Sequence, residues 1–385
     1  MQFDIVFEGG GAKGMVFVGA LKALESRGHT INRLVGTSAG AITATLLSVG
    51  YSADELAQAL AEKDSNGEPV FARFMDVPTA DDFSRQMRDE SATMQLFRKI
   101  DIPVIPNRWE DAADRKIISL LLNLKAYPVI FSFVERGGLY VGNAFVEWLQ
   151  KKLSAKDDGY AGMTLLQLHD ATGRDLSVVA SDTTGRNLLV LNHRTAPNVP
   201  VVWAVRMSMS IPFAWQEVIW QDAWNPYQLL DASGLAVDSE LDLTDHTVVD
   251  GGVLSNFPIN LLTSDEPSTR AVMGDTQPDR TKVLGMLIDE TLGVPGAPPP
   301  PNDSADDRAG VMGDIKKLRL VQRVTRLVET MRGAHDNQLI TANKDLICRL
   351  PAQTYGTMEF DMSDQRRDKL VAAGKRAMED HLASR

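Results

Sequence analysis

The run Gly36-Thr37-Ser38-Ala39-Gly40 decides the fold of this chain. Apolar residues precede it, and residues 41–49 after it have the composition of a helix. In a Gly-x-Ser-x-Gly sequence, Gly36 and Gly40 permit a sharp turn from a strand into a helix, which presents the serine hydroxyl at the end of a sheet. The pattern alone is weak, but this strand–turn–helix context makes Ser38 a candidate nucleophile.

A second glycine turn upstream repeats the same arrangement. Residues 3–7 form an apolar run that ends in glycines, and residues 15–27 follow with helical spacing. A short strand at 33–35 and a helix at 41–49 continue the pattern. Alternation of this kind predicts an α/β fold with a largely parallel sheet.

Farther along the chain the pattern predicts more strands. A β-rich pattern resumes at 176–180 and 187–192, continues through 201–209 and 247–249, and ends in a late strand at 283–288. We predict a catalytic domain over 1–290, with an insertion or cap at about 64–160. A Pro-rich exposed loop over 291–310 and a helical extension over 311–385, packing on the core, complete the organisation.

The upstream turn, Glu8-Gly9-Gly10-Gly11-Ala12-Lys13-Gly14, lies between a predicted strand and the start of a helix. Backbone N–H groups are free at such a position, and glycines let an oxyanion approach them closely. We interpret Gly9, Gly10 and Gly11 as an oxyanion hole, with Lys13 holding the loop or adding positive potential. The alternative is a phosphate loop, but the run lacks the spacing of the nucleotide-binding motifs.

A third turn, Asp250-Gly251-Gly252, follows the predicted strand at 247–249. Taken alone, an aspartate before glycine is typical of a simple type I turn. Together with the other two turns, Asp250 is a candidate general base at a strand end, where Gly251 and Gly252 permit close approach of another loop.

These three turns occur in an order that resembles the patatin-like phospholipase family. A weaker match is Ser208-Met209-Ser210-Ile211-Pro212, which is similar to the family's small-residue segment before proline. The resemblance implies a three-layer α/β/α sandwich and a Ser38–Asp250 dyad that needs neither histidine nor metal. Many members have arginine where this chain has Lys13, which cannot form the same planar hydrogen-bonding fork. No cofactor is implied.

The alternative mechanism is a Ser–acid–His triad in the chain order of the α/β-hydrolases. His335 and His381 follow Asp250 and qualify by order, although neither has a distinctive loop context. No spacing of His, Cys, Asp and Glu indicates a zinc site.

Composition and charge limit the binding partners and the cellular compartment to be expected. The formal net charge is −11 and the pI about 5.1, so we expect no general nucleic-acid binding. The single cysteine, Cys348, permits no intrachain disulfide, and we expect it to be buried. The N-terminus lacks the pattern of a signal peptide, and no stretch approaches the roughly 20 apolar residues of a membrane span. We therefore expect a cytoplasmic protein.

A lipid substrate requires an apolar pocket and a route from the bilayer. Residues 117–122 and 129–133 are candidates for an acyl-chain wall or lid, with ordinary core as the alternative. Four tryptophans cluster between Trp203 and Trp224, typical of a wet–apolar boundary, a packed core or an oligomer surface. Residues 316–332 predict a basic amphipathic helix, which binds anionic lipid or packs on the core with its charges solvated.

The expected function is lipid acyl hydrolysis of phospholipase A or lysophospholipase type, with a phospholipid or another acyl ester as substrate and peripheral contact with membranes. The alternatives are a short-chain carboxylesterase on the same fold and a lipid-binding regulatory protein without turnover. The oligomeric state and gating by an effector are left open.

Overall fold

A computed structural model describes residues 1–83, 91, 127–229, 241–299 and 336–385 of the 385-residue chain. In these residues the strands are, in chain order, β1 (Gln2–Phe7), β2 (Thr30–Thr37), β3 (Gly138–Tyr140), β4 (Asp175–Asp182), β5 (Asn187–Leu191), β6 (Phe213–Trp215), β7 (Val218–Ile219), β8 (Thr247–Asp250), β9 (Val283–Asp289) and β10 (Ile347–Pro351).

The α-helices of the same residues are α1 (Met15–Ser26), α2 (Ala39–Ser48), α3 (Ala53–Leu60), α4 (Tyr127–Glu135), α5 (Asn143–Ser154), α6 (Leu165–Thr172), α7 (Val201–Ser208), α8 (Asn260–Thr263), α9 (Pro267–Met273) and α10 (Asp364–Ser384). Residues 336–342 are also helical. Short 3₁₀ turns at Gly11–Gly14, Val70–Phe74 and Gly251–Val253 matter for the site.

Eight of these strands form one mixed sheet. Neighbours along the order β10-β9-β1-β2-β4 are all parallel. β5 and β8 run antiparallel to β4, and β7 runs antiparallel to β8. The predicted α/β fold with a largely parallel sheet is confirmed.

The two faces of the sheet carry different apolar layers, as the period-2 alternation of strands requires. Ile5 and Leu34 belong to a large core with side chains from α1, α2 and α10, whereas Val6 and Val35 belong to a second core with α8 and α9. Helices therefore cover both faces of the sheet, and the three-layer α/β/α arrangement is confirmed. Each large side chain buried in these layers contributes roughly 1.5–3 kcal/mol.

The pairing partners of β4 explain how two distant segments meet. β5 pairs with residues 178–182 of β4, a span that overlaps the partners of both β2 and β8. Because a strand has only two edges, β2 and β8 share the edge opposite β5 and run toward each other. Thr37 at the end of β2 pairs with Val179, and Asp250 at the end of β8 pairs with the next residue, Ala180. The carboxyl ends of β2 and β8 therefore meet.

The C-terminal helix α10 packs against α1 through two glycines. A Cβ added at Gly19 would lie 1.9 Å from the carbonyl oxygen of Val371, and one added at Gly374 would lie 2.2 Å from that of Val16. Neither position has room for a side chain, so the two helix backbones are in close contact here.

One element differs from the sequence prediction. Residues 201–209 were expected to continue the β-rich pattern, but Val201–Ser208 is the helix α7. A continuous buried apolar run has no periodicity that distinguishes strand from helix, and Pro200, at the N-cap, favours a helix start.

The apolar stretch at 129–133 lies within helix α4, and Val129 and Phe131 are buried in the interior. Cys348 is buried on β10, where burial raises the pKa of its thiol to about 12. Residues 117–122, 316–332 and His335 lie outside the described residues.

Candidate active site

Ser38 occupies the turn between β2 and α2. Its φ is +51° and its ψ −118°, a backbone conformation that side-chain-bearing residues rarely adopt and that is typical of a strained turn at a functional site. Its side chain is buried, and its N–H donates to the hydroxyl of Ser208 at 2.9 Å. A Cβ at Gly36 would lie 2.3 Å from the carbonyl oxygen of Gly40, so the turn closes only because Gly36 has no side chain.

Asp250 lies at the end of β8 and is fully buried. Its Oδ1 accepts the N–H of Gly252 at 2.7 Å, and its own N–H donates to the carbonyl of Ser210 at 2.9 Å. A Cβ at Gly251 would lie 2.4 Å from the carbonyl oxygen of Val179, so glycine is required for the close approach of this turn to β4. The carboxylate is thus fixed by backbone contacts.

The end of α7 connects the two turns. The hydroxyl of Ser208 donates to the carbonyl of Val179 at 2.6 Å and accepts the N–H of Ser38, while the carbonyl of Ser210 accepts the N–H of Asp250. The same short segment therefore sets the position of both candidate catalytic residues relative to β4.

The upstream glycine turn lies directly beside Ser38. A Cβ added at Gly9 would lie 3.1 Å from the Cβ of Ser38. The Gly9 N–H donates to the carbonyl of Asn256 at 3.1 Å. The Gly9 N–H therefore already has a partner. Of the three glycines predicted to form the oxyanion hole, Gly10 and Gly11 remain as candidate donors.

Glu8 and Asn256 support this turn. The Asn256 amide donates to the carbonyl of Gly9 at 2.8 Å and to the Glu8 carboxyl at 3.1 Å, and the N–H of Ile288 donates to the same carboxyl at 2.6 Å. Burial raises the pKa of Glu8 to about 8, and the two hydrogen bonds oppose the shift only in part. Glu8 therefore joins β1, β9 and the loop after Asp250 beneath the candidate oxyanion hole.

Lys13 is buried, and its ammonium forms an ion pair with the exposed side chain of Glu290. This contact ties the glycine turn to the end of β9.

An apolar cavity opens beside Ser38. Most of its walls are apolar. The described residues that line it are Gly11, Ala12, Gly14, Met15, Ser38, Ala39, Ile42, Thr43, Leu60, Ala61, Lys63, Pro69, Phe71, Phe74, Met209, Ile211, Trp215, Glu359, Phe360, Met362 and Arg367. A cavity with this apolar lining suits the acyl chain of an ester.

The cavity also tests two interpretations of the apolar segments. Trp215 lines it, whereas Trp220 and Trp224 are buried in the packed core. The described lining includes neither Val129 nor Phe131, and both are buried in the core instead.

The described histidines do not line this cavity. His381 lies on α10, where burial lowers the pKa of its imidazole to about 4. His246 contacts Asp182 instead, at 2.9 Å. Within the described ranges, no group of three or more His, Cys, Asp and Glu side chains is placed to hold a metal ion.

Sequence reasoning missed Asn256 and Thr357. The carbonyl of Thr357 accepts the N–H of Ala12 at 2.9 Å, in the turn that follows Gly11. A hydrogen bond to a backbone carbonyl does not depend on the residue type, so the sequence does not reveal it. Asn256 lies six positions after Asp250 in an Asn-Phe-Pro turn, and this turn pattern is the sequence signal that could have identified it.

None of the helices in the described part of the chain combines the length and apolar character that a membrane span requires.

The chain is similar to several known proteins. The chain is 28% identical over 386 residues to the uncharacterized protein YqhO of Bacillus subtilis, with 98% of this chain and 97% of YqhO covered. Among solved structures it is similar to VipD of Legionella pneumophila, with a TM-score of 0.45, 17% identity and coverage of 99% of this chain and 67% of VipD. It is also similar to the type III effector ExoU of Pseudomonas aeruginosa, with a TM-score of 0.40 and 16% identity. That alignment covers 100% of this chain and 53% of ExoU, so the chain spans about half the length of ExoU.

The sequence profile described as patatin-like phospholipase matches residues 5–263. This range contains all three glycine turns, the second half of β1 and the other strands of the sheet before β9. The chain therefore belongs to the patatin-like phospholipase family, a family of lipid hydrolases.

Proposed function

We propose that the protein is a serine-dependent lipid acyl hydrolase of phospholipase A or lysophospholipase type, with Ser38 as nucleophile and Asp250 as general base. The observation that carries this proposal is the meeting of β2 and β8 along one edge of β4. In support of the proposal, the residues before Ser38 and at the end of β8 pair with adjacent residues of β4, and Ser38 lines an apolar cavity.

The reaction follows from these positions. The Ser38 hydroxyl attacks the ester carbonyl carbon while Asp250 takes its proton, and the resulting oxyanion is held by the N–H groups of Gly10 and Gly11. The carbon–oxygen bond to the alcohol then breaks, and the alcohol leaves with the proton from Asp250. Water next attacks the acyl-enzyme and gives a proton to Asp250. The bond between the acyl carbon and Ser38 Oγ then breaks, the fatty acid is released, and Asp250 returns the proton to Ser38 Oγ.

The cavity favours a lipid over a short-chain ester. Its walls continue from Ser38 to Phe71, Phe74 and Trp215, and burying a methylene group against such walls contributes about 0.8 kcal/mol. A longer acyl chain covers more of this apolar surface than a butyryl group does. We therefore expect kcat/KM to rise with acyl-chain length across a series of p-nitrophenyl esters.

The test is mass spectrometry of the products formed from a mixed lipid extract by the wild-type protein and by Ser38→Ala. Free fatty acids and lysolipids that appear with the wild type alone support the proposal. Products confined to short-chain esters indicate the carboxylesterase instead, and the absence of turnover with bound lipid indicates the regulatory protein.

A further inference from the structure

A segment outside the family match forms part of the candidate site. Residues 354–362, here termed the C-terminal wall, lie between β10 and α10, well beyond residue 263 where the family match ends. Nevertheless Glu359, Phe360 and Met362 line the cavity that contains Ser38.

The C-terminal wall also touches the glycine turn. The carbonyl of Thr357 accepts the N–H of Ala12 at 2.9 Å, and a Cβ at Gly11 would lie 2.1 Å from that carbonyl oxygen. Gly11 has a φ of +55°, in the left-handed region that favours glycine. The position of the wall is therefore fixed relative to the candidate oxyanion donors.

A buried arginine holds the wall in place. The Arg366 guanidinium donates two hydrogen bonds to the Glu359 carboxylate, at 2.5 and 3.0 Å, and further bonds to the carbonyls of Pro298 and Thr354 at 2.6 and 2.8 Å. It also lies 4.1 Å from the centre of the Tyr355 ring. A bidentate buried pair with two further backbone bonds is a rigid support, because each lost contact would leave a buried charge unsatisfied.

Phe360 is the large apolar side chain that this support presents to the cavity. Its ring centre lies 5.8 Å from that of Trp215 in an edge-to-face arrangement and 6.3 Å from that of Phe71. Its side chain is 9% exposed. Phe360 therefore forms part of the cavity wall together with two rings from other segments of the chain.

We propose that Phe360, held by the Arg366–Glu359 pair, limits the length of acyl chain that the site accepts. This inference rests on the proposed function and deepens it. A side chain on a yielding loop could move aside for a longer acyl chain. A side chain on a segment that is clamped at Glu359 and bonded at Thr357 cannot do so without breaking these bonds.

The experiment measures kcat/KM of the full-length wild type and of Phe360→Ala on p-nitrophenyl butyrate, octanoate, laurate and palmitate. The truncation opens space for about two further methylene groups, and each adds about fourfold in binding. We expect the ratio of kcat/KM for the long over the short ester to rise about 15-fold. An unchanged ratio in a folded Phe360→Ala protein overturns the inference.

Phe145→Ala is the matched control. Phe145 is buried in the same aromatic cluster, with its ring 5.3 Å from that of Phe74, but it does not belong to the described lining of the cavity. Its truncation should lower activity on all esters together and leave the ratio unchanged. If Phe360→Ala does not fold, Phe360→Leu replaces it and should shift the ratio in the same direction by a smaller factor. A wild-type ratio in Phe360→Leu also counts against the inference.

A binding assay distinguishes a failure of this inference from a failure of the proposed function. Displacement of a fluorescent fatty acid by unlabelled acids from octanoate to stearate reports the cavity without turnover. A wild type that binds fatty acids but hydrolyses no ester contradicts the proposed function alone. A Phe360→Ala protein with the chain-length preference of the wild type in both assays contradicts the inference alone.

Discussion

Replacing Gly36 by alanine should disable the turn that carries Ser38. The added Cβ would lie 2.3 Å from the carbonyl oxygen of Gly40 and 2.6 Å from the backbone nitrogen of Ala41. Both are backbone atoms of the turn and of α2, so no side-chain rotation relieves the contact. The carbonyl contact has to lengthen by about 0.7 Å to reach 3.0 Å, the lower limit of real Cβ contacts.

A displacement of this order moves the Ser38 hydroxyl relative to Asp250 and the glycine turn. A misplacement of about 1 Å near reacting groups costs roughly 100-fold in rate, so we expect kcat/KM to fall between about 10-fold and 100-fold. Overpacking of a tight turn should also destabilise the fold by about 1–3 kcal/mol. The rate is measured on p-nitrophenyl octanoate at a temperature at which circular dichroism shows that the variant is folded.

Gly162→Ala is the control for this experiment. A Cβ at Gly162 meets nothing within 4 Å, and its φ is not in the left-handed region. It should retain the wild-type rate and stability. Activity of Gly36→Ala within twofold of that of Gly162→Ala would refute the argument that the closed turn positions the nucleophile.

Three further predictions concern other parts of the molecule. Asp250→Asn should lower kcat by about 10³–10⁴-fold because an amide cannot take the serine proton. His381→Ala should retain most turnover, and loss of its activity would favour a catalytic triad. Glu8 keeps its proton up to about pH 8 in the fold but releases it near pH 4.5 when unfolded, so its contribution to stability falls as pH rises between these values. The free energy of unfolding in urea should therefore fall less between pH 5 and pH 8 for Glu8→Gln than for the wild type. Equal decreases in the two proteins would contradict this assignment. The last change replaces four basic residues of the predicted helix by glutamine together: Lys316, Arg319, Arg323 and Arg326. Binding to anionic vesicles, measured by co-sedimentation at low salt, should then weaken by roughly 1 kcal/mol per basic residue. Unaltered binding would contradict the membrane role of this helix.

Local constraints made much of the fold predictable from the sequence. A turn that brings a strand directly into a helix requires glycine where backbones touch, and a Cβ added at Gly36 or Gly251 would lie within 2.4 Å of a backbone carbonyl oxygen. Such requirements appear as residue types at fixed spacing. The strand–turn–helix order around Ser38 could therefore be predicted, and the α/β class followed from it.

Contacts between distant segments could not be predicted in the same way. The N–H of Gly9 donates to the carbonyl of Asn256, and the carbonyl of Thr357 accepts from Ala12, through backbone groups that every residue type possesses. The predicted β-pattern at 201–209 is wrong because the apolar residues of α7 other than Trp203 are all buried, so the sequence shows little helical periodicity there. The roles of Ser38 and Asp250 remain predictions, supported by the geometry at the ends of β2 and β8.

Covalent labelling by a long-chain fluorophosphonate tests the central claim most directly. The phosphorus of this reagent is attacked by an activated serine, and the product is stable enough for peptide mass spectrometry. We predict one label per wild-type chain, on the peptide that contains Ser38, and no label on Ser38→Ala, which should also lack ester hydrolysis. A label on another residue, or hydrolysis retained by Ser38→Ala, would contradict the assignment of Ser38 as the nucleophile.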